Sequence, residues 1–214
     1  MRALAECQLY GIIDLGYVAI DDAARMAEYL IEGGIDLLQL RAKHAAPEQI
    51  VTLGRHLHAI SSSSNVPLII NDFPELVPAI GAEGAHIGQD DGPLPEARHA
   101  AGAGKWIGRS THSVDQAQAA FQEGADYIGF GPLFATPTKP DYPAIGLEHI
   151  REVVAQAPVP VFCIGGVKLA NLAEIRAAGA DRVVIVSGLL QAEDPVAATA
   201  KAREALGRLE RGGK

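Results

Sequence analysis

The chain has 214 residues, 48% of them hydrophobic and 21% charged, which is ordinary globular usage and unlike that of a disordered or fibrous protein. A formal net charge of −8 argues against a general binder of nucleic acid or of anionic membranes, so an anionic ligand must be held by a few local cations and backbone amides. No apolar run approaches the ~20 residues of a membrane span. Met1–Glu6 lacks the apolar core of a signal peptide, and Cys7 and Cys163 form no C-x-x-C pair, so the expectation is a reduced, cytoplasmic protein.

Short apolar runs alternate with segments of helical period along the chain. The runs are Leu9–Asp14, Asp36–Arg41, Pro67–Asn71, Ala85–Gly88, Trp106–Ser110, Tyr127–Gly131, Val161–Gly165 and Arg182–Ser187. The segments between and after them predict helices over 21–33, 47–60, 74–81, 95–102, 113–123, 146–156, 169–178 and 194–209. Strict alternation implies parallel strands joined by right-handed crossovers. At roughly 27 residues per unit, eight units make a compact single-domain α/β fold, the (β/α)8 or TIM barrel. An open doubly wound sheet is the alternative. Four helices end in similar words, Gly33-Gly34-Ile35-Asp36, Gly81-Ala82-Glu83-Gly84, Gly124-Ala125-Asp126 and Gly179-Ala180-Asp181, about two units apart. The chain thus reads as four repeated strand–helix pairs. One domain is expected over 1–214, with an ordered barrel over about 9–209 and a frayed tail over 210–214.

In such barrels function sits beyond the carboxyl ends of the strands. Strand two ends with Gln39, Arg41 and Lys43 on one face, two cations that invite an anionic ligand or else a carboxylate from a neighbouring strand. Asn71-Asp72 ends strand three and Gly88-Gln89-Asp90-Asp91 follows strand four. Asp72 and Asp91 are candidate Mg²⁺ ligands or, before Pro74 and Pro93, helix caps. Strand five ends Ser110-Thr111-His112-Ser113, with Ser113 the expected helix cap, Ser110 a candidate phosphate contact, and His112 read as a structural hydrogen-bonder. The long loop Gly131–Gly146 after strand six carries Thr136, Thr138 and Lys139 and reads as a cover that brings Lys139 to an anion. Gly165-Gly166 after strand seven and Val186-Ser187-Gly188 after strand eight form a candidate phosphate site of bare backbone amides. His86, inside strand four, and Cys163, in strand seven, are read as packed residues.

Two anion sites on one rim suit an enzyme that joins a diphosphate substrate to a monophosphate, and no general base stands out. The ensemble resembles the thiamine-phosphate synthase family. Gln39-Leu40-Arg41-Ala42-Lys43 is similar to its Q-x-R-x-K motif, Ile70-Asn71-Asp72 and His86-Ile87-Gly88-Gln89-Asp90-Asp91 to its acidic segments. Ser110-Thr111-His112-Ser113, the run Gly124–Gly131, Thr136-Pro137-Thr138-Lys139, Ile164-Gly165-Gly166 and Val186-Ser187 follow in order, so the similarity spans about Leu9 to Pro195. The resemblance implies a transferase that condenses hydroxymethylpyrimidine diphosphate with hydroxyethylthiazole phosphate, small-molecule partners with no nucleic acid and no membrane. It implies that Gln39, Leu40, Arg41, Ala42, Lys43, Asn71, Ser110 and Lys139 hold the pyrimidine diphosphate, with Arg41, Lys43, Ser110 and Lys139 catalytic. It implies Asp72 and Asp91 on Mg²⁺, and Thr136, Pro137, Thr138, Gly166, Val186 and Ser187 on the thiazole phosphate. Association of identical copies (a homo-oligomer) is compatible with the sequence and not specified by it.

The chain departs from the family where Ala42 replaces a frequent glutamate, where Phe73-Pro74 follows Asn71-Asp72, and where Tyr142-Pro143 ends the lid. A related thiazole tautomerase shares the barrel but has a histidine after the strand-six glycine and lacks the paired acids. Here Pro132 follows Gly131, and both Asp72 and Asp91 are present. Sugar-phosphate epimerases and indole-forming synthases need acid–base pairs that are not evident here, and a catalytically silent homologue is the remaining alternative.

Overall fold

The computed structural model describes residues 1–136 and 143–207. Eight parallel strands close into a barrel in chain order, the last pairing with the first. They are β1 (Leu9–Asp14), β2 (Leu37–Arg41), β3 (Leu68–Asn71), β4 (Gly84–Ile87), β5 (Trp106–Thr111), β6 (Tyr127–Phe130), β7 (Val161–Cys163) and β8 (Val183–Ile185). Around them run α1 (Ala23–Glu32), α2 (Pro47–Ser63), α3 (Val77–Ile80), α4 (Leu94–Ala101), α5 (Val114–Gln122), α6 (Ile150–Gln156), α7 (Leu172–Ala177), α8 (Ser187–Leu190) and α9 (Pro195–Leu206). The (β/α)8 expectation holds and the open sheet is ruled out by closure of β8 on β1.

The differences from the sequence reading lie at element ends. The helices expected to start at 74 and 169 begin as 3₁₀ turns, Pro74–Leu76 and Leu169–Asn171, before continuing as α3 and α7. The short α8 directly after β8 was not anticipated, because four residues are too few to show a helical period. The expected tail at 210–214 lies outside the described residues.

Two apolar layers hold the fold. Along each strand one parity points into the barrel, where Tyr10, Leu37, Ile69, Tyr127, Phe162 and Val184 pack. The other parity, such as Leu38, Leu40, Ile70, Ile128 and Ile185, packs beneath the helices. Cys163 lies in this outer layer and Cys7 at the floor of the barrel; both are unpaired thiols, and burial pushes each up to about 12.

The repeated Gly-acid words close the amino end of the barrel. Gly34, Gly81, Gly124 and Gly179 all adopt positive φ, between +84° and +111°, where a Cβ would be strained. After the first three of these glycines the acid that follows grips the start of the preceding odd strand through two reciprocal bonds. Asp36 donates its N–H to the Leu9 carbonyl at 2.9 Å and accepts the Leu9 N–H at 3.0 Å. Glu83 does the same to Leu68, at 2.9 and 2.8 Å, and Asp126 to Ile107, at 2.9 and 2.7 Å.

Candidate active site

A cavity opens at the carboxyl end of the barrel. Its wall follows strand parity: Gln39 and Arg41 of β2, Asn71 of β3, His86 of β4 and Ser110 of β5 all face it. On the far side it is bounded by Gly165 and Gly166 after β7 and by Val186 and Ser187 after β8. Gly166, at φ +68°, leaves no room for a side chain, since a Cβ there would stand 2.6 Å from the Phe134 Cβ. The floor is aromatic, made of Tyr10, Tyr127 and Phe162, whose rings meet edge to face at centroid distances of 5.3–6.1 Å.

Arg41 at the end of β2 and Lys43 just beyond it both meet carboxylates. Arg41 Nη1 lies 2.6 Å from Oδ2 of Asp14 at the end of the adjacent β1, and Asp14 is buried. Lys43 Nζ lies 3.5 Å from Asp72 Oδ2 and is half exposed on the rim. So the neighbouring-strand ion pair considered from the sequence exists for Arg41, whose guanidinium nevertheless lines the cavity. Leu40 and Ala42, between these residues, face the other way and lie buried in the sheet–helix layer, so their side chains are not brought to the site.

Asp72 and Asp91 come together. Neither caps a helix: the turn at Pro74 and helix α4 are preceded by Phe73 and Pro93 and receive no side-chain cap. Asp72 sits at φ +64°, an uncommon conformation for a non-glycine residue, with its N–H bonded to the His86 carbonyl at 2.9 Å. Asp91 Oδ2 accepts the Gly88 N–H at 2.6 Å. Arg109 steadies this loop by donating to the carbonyls of Gly88 and Gly92 at 2.7 and 2.9 Å. Burial, the Asp91 charge and a hydrogen bond between the two carboxyls raise Asp72 above the usual carboxylate range, against the opposing pull of Lys43 and Arg41. Among the described residues no cluster of three or more His, Cys, Asp and Glu side chains could hold a metal ion. Two carboxylates on a rim open to water and substrate oxygens fit a hard divalent cation that completes its shell from those sources.

Sequence reasoning missed the role of His86. It is not simply packed: its Nε2 lies 3.0 Å from Ser110 Oγ and its Nδ1 3.2 Å from the Tyr127 hydroxyl. Two glycines make the space, since a Cβ on Gly108 would collide with the Tyr127 ring and His86, and one on Gly129 would touch His86. Glycines inside β5 and β6 were the available signal. Asp14 and Tyr10 were also missed, because their role depends on register between strands. His112 bonds the Gly131 carbonyl through Nδ1 and also lines the cavity. Ser113 caps α5 as expected, accepting the Gln116 N–H at 3.2 Å. Thr136 reaches the cavity, whereas Pro137, Thr138 and Lys139 lie outside the described residues.

Comparisons with known proteins identify the family of this chain. A family profile described as thiamine monophosphate synthase matches residues 9–189. The thiamine-phosphate synthase of Chloroflexus aurantiacus is 38% identical over 94% of this chain and 93% of its own length. That of Thermus thermophilus is 40% identical over 84% of this chain and 86% of its own. Among solved structures, a thiamine phosphate pyrophosphorylase from Pyrococcus furiosus superposes with a TM-score of 0.86 at 29% identity, covering 94% of this chain and 96% of that one. With a profile spanning most of its length and relatives of this similarity, the chain belongs to the thiamine monophosphate synthase family.

Proposed function

We propose that this chain is a transferase that makes thiamine phosphate by joining hydroxymethylpyrimidine diphosphate to hydroxyethylthiazole phosphate, with release of diphosphate. The observation that carries the reading is the pairing of Asp72 with Asp91 beside Lys43, next in sequence to Asn71 in the wall of a cavity whose far wall is Gly165-Gly166 and Val186-Ser187. One end suits a diphosphate and the other a phosphate monoester. The assignments are those of the sequence without Leu40 and Ala42, which are packed in the sheet–helix layer: Gln39, Arg41, Lys43, Asn71, Ser110 and Lys139 for the diphosphate substrate, Thr136, Pro137, Thr138, Gly166, Val186 and Ser187 for the thiazole phosphate.

Asp72 and Asp91 would hold Mg²⁺, which when bound supplies positive charge to the departing diphosphate oxygens. Arg41, Lys43 and Lys139 add to that charge, and Ser110 supplies a hydroxyl. The C–O bond between the pyrimidine methylene and the diphosphate breaks, with the electron pair leaving on diphosphate. The thiazole ring nitrogen, which already carries a lone pair, forms the new C–N bond, so no proton has to be removed. Aromatic rings of Tyr10, Tyr127 and Phe162 at the cavity floor keep water from the cationic carbon and offer it π-density.

The direct test mixes the two substrates with Mg²⁺ and follows thiamine phosphate and released diphosphate. Both products are expected. Replacing Asp72 and Asp91 together by alanine should lower kcat at least about a hundred-fold, the scale of lost charge stabilisation in a transition state. Full activity with unchanged Mg²⁺ dependence in that variant would remove the metal assignment. Absence of product from the native chain would remove the activity.

A further inference from the structure

From the cavity floor to its rim runs an unbroken series of side-chain hydrogen bonds contributed by five residues on five strands. Gln39 Nε2 donates to the Tyr10 hydroxyl at 2.6 Å. The Tyr10 and Tyr127 hydroxyls lie 3.1 Å apart. Tyr127 meets His86 Nδ1 at 3.2 Å, and His86 Nε2 meets Ser110 Oγ at 3.0 Å. Resting on the reading above, in which Ser110 faces the diphosphate substrate, we propose that Tyr10 and Tyr127 are positioning residues: with Gln39 they fix the direction of this series, lock His86 as the Nε2–H tautomer, and leave Ser110 as a committed hydrogen-bond donor into the cavity.

The direction follows from counting protons. An amide nitrogen only donates, so the Tyr10 oxygen accepts from Gln39 and its own single proton must go elsewhere. The next acceptor is the Tyr127 oxygen. Tyr127 in turn gives its proton to His86 Nδ1, which is therefore the bare nitrogen of the ring. In the neutral imidazole the proton then sits on Nε2 and is donated to Ser110 Oγ. Ser110 now accepts from within the protein and turns its own hydrogen toward the cavity it lines. The reverse direction would set the Tyr10 O–H against the Gln39 N–H, two donors facing each other where both residues are no more than 2% exposed.

The packing holds each member in place. The Tyr10 and Tyr127 rings pack roughly perpendicular to that of Phe162, with centroids 5.3 and 5.7 Å away, and the His86 ring centroid lies 5.4 Å from that of Tyr127. Burial raises both phenols above their ordinary value, which keeps their protons on oxygen at physiological pH. A hydroxyl committed to donation suits an acceptor that gains negative charge as a bond breaks, which is what the oxygens of a leaving diphosphate do. The apolar floor alone would have been filled as well by phenylalanine at positions 10 and 127; two hydroxyls joined end to end there carry the polarity from Gln39 to Ser110.

The experiment has two arms on the full chain. In ligand-free protein labelled with [15N]histidine, with the His86 signals assigned by their loss in His86→Gln, native His86 should show a bare Nδ1 and a protonated Nε2. Tyr127→Phe should abolish that signature. Should Tyr127→Phe not fold, Tyr10→Phe breaks the series one step earlier and is expected to mix the two tautomers. In the second arm, thiamine phosphate synthesis by Tyr127→Phe should lose about ten-fold in kcat with the KM for thiazole phosphate unchanged, a fraction of the 10²–10³ lost with a direct donor. On a Ser110→Ala background the same substitution should change kcat by less than about two-fold, because the series no longer has an end to act on. A protonated Nδ1 in the native chain, or an equal loss with and without Ser110, overturns the proposal. A native chain that forms no thiamine phosphate overturns the functional reading instead, and the nitrogen spectra still decide the direction.

Discussion

Replacing Asp14 by asparagine tests how Arg41 is held when no substrate is present. Asparagine keeps the size of the side chain and an oxygen for the Gly16 N–H, which Asp14 Oδ1 accepts at 2.9 Å. What it removes is the charge opposite Arg41, whose side chain is 15% exposed against 4% for Asp14 at a separation of 2.6 Å. With an effective dielectric constant of about 20, that separation corresponds to a gross attraction of about 6 kcal/mol. Breaking one side of a fully buried pair costs about 3–5 kcal/mol. Arg41 borders an open cavity and recovers some hydration, so the low end applies and the expected loss is about 3 kcal/mol. Urea unfolding of both proteins at pH 7.5, without ligand, measures it. Saturating inorganic diphosphate with Mg²⁺ should shrink the difference to about 1 kcal/mol, because the ligand supplies the missing negative charge. A ligand-free loss below about 1 kcal/mol would show that Arg41 is not held by Asp14, and a loss that diphosphate does not reduce would show that Arg41 is not turned toward the anion site.

Two further outcomes follow from the carboxyl pair and the strand glycines. Because Asp72 is raised in the folded state, that state retains a proton which the unfolded chain has already released, so this group's contribution to stability falls as pH rises above the ordinary carboxylate value through the raised one. Asp72→Asn should therefore melt higher than the native protein at pH 7 in a chelator, converge with it at pH below the ordinary carboxylate range, and lose the stabilisation that Mg²⁺ gives the native chain. A lower melting temperature at pH 7 would contradict this. Gly108→Ala places a methyl group onto Tyr127 and His86 and should cost about 3 kcal/mol in urea unfolding, the upper range for overfilling a packed site. A loss under about 1 kcal/mol would mean that the two rings shift freely.

Much of the barrel was legible because each strand is a short apolar run that ends in polar residues. Leu9–Asp14 is matched residue for residue, and Ser113 announced the start of α5. The rim residues were legible for the same reason: Asp72, Asp91, Arg41 and Lys43 terminate strands or begin loops, where apolar packing has no use for them. The interior was not. Whether Tyr10 meets Tyr127, or His86 meets Ser110, depends on how far each strand is staggered against the next, and stagger leaves no mark on a single strand. His86 pairs with Gly108 and Ser110 with Gly129 in the ladder, a relation visible only once β4, β5 and β6 are side by side. Asp14 was hidden in the same way, as one acid at the end of a strand whose neighbour was known but whose alignment was not. The capping role weighed for Asp72 and Asp91 failed because proline already opens both of the following helical segments without a capping side chain.

The reciprocal grips of Asp36 on Leu9, Glu83 on Leu68 and Asp126 on Ile107 span only 27, 15 and 19 residues. Each lies inside a consecutive two-strand unit and none bridges from one unit to the next. Three quarters of the ring can therefore fasten locally before the circle shuts, with little loop-closure entropy to overcome at each step. The same layout marks where the chain could be cut and rejoined. New ends placed in the Gly102–Gly104 turn, between α4 and β5, would leave every one of these grips within an unbroken stretch of backbone, whereas ends placed between β1 and β2 would sever Asp36 from the strand it secures.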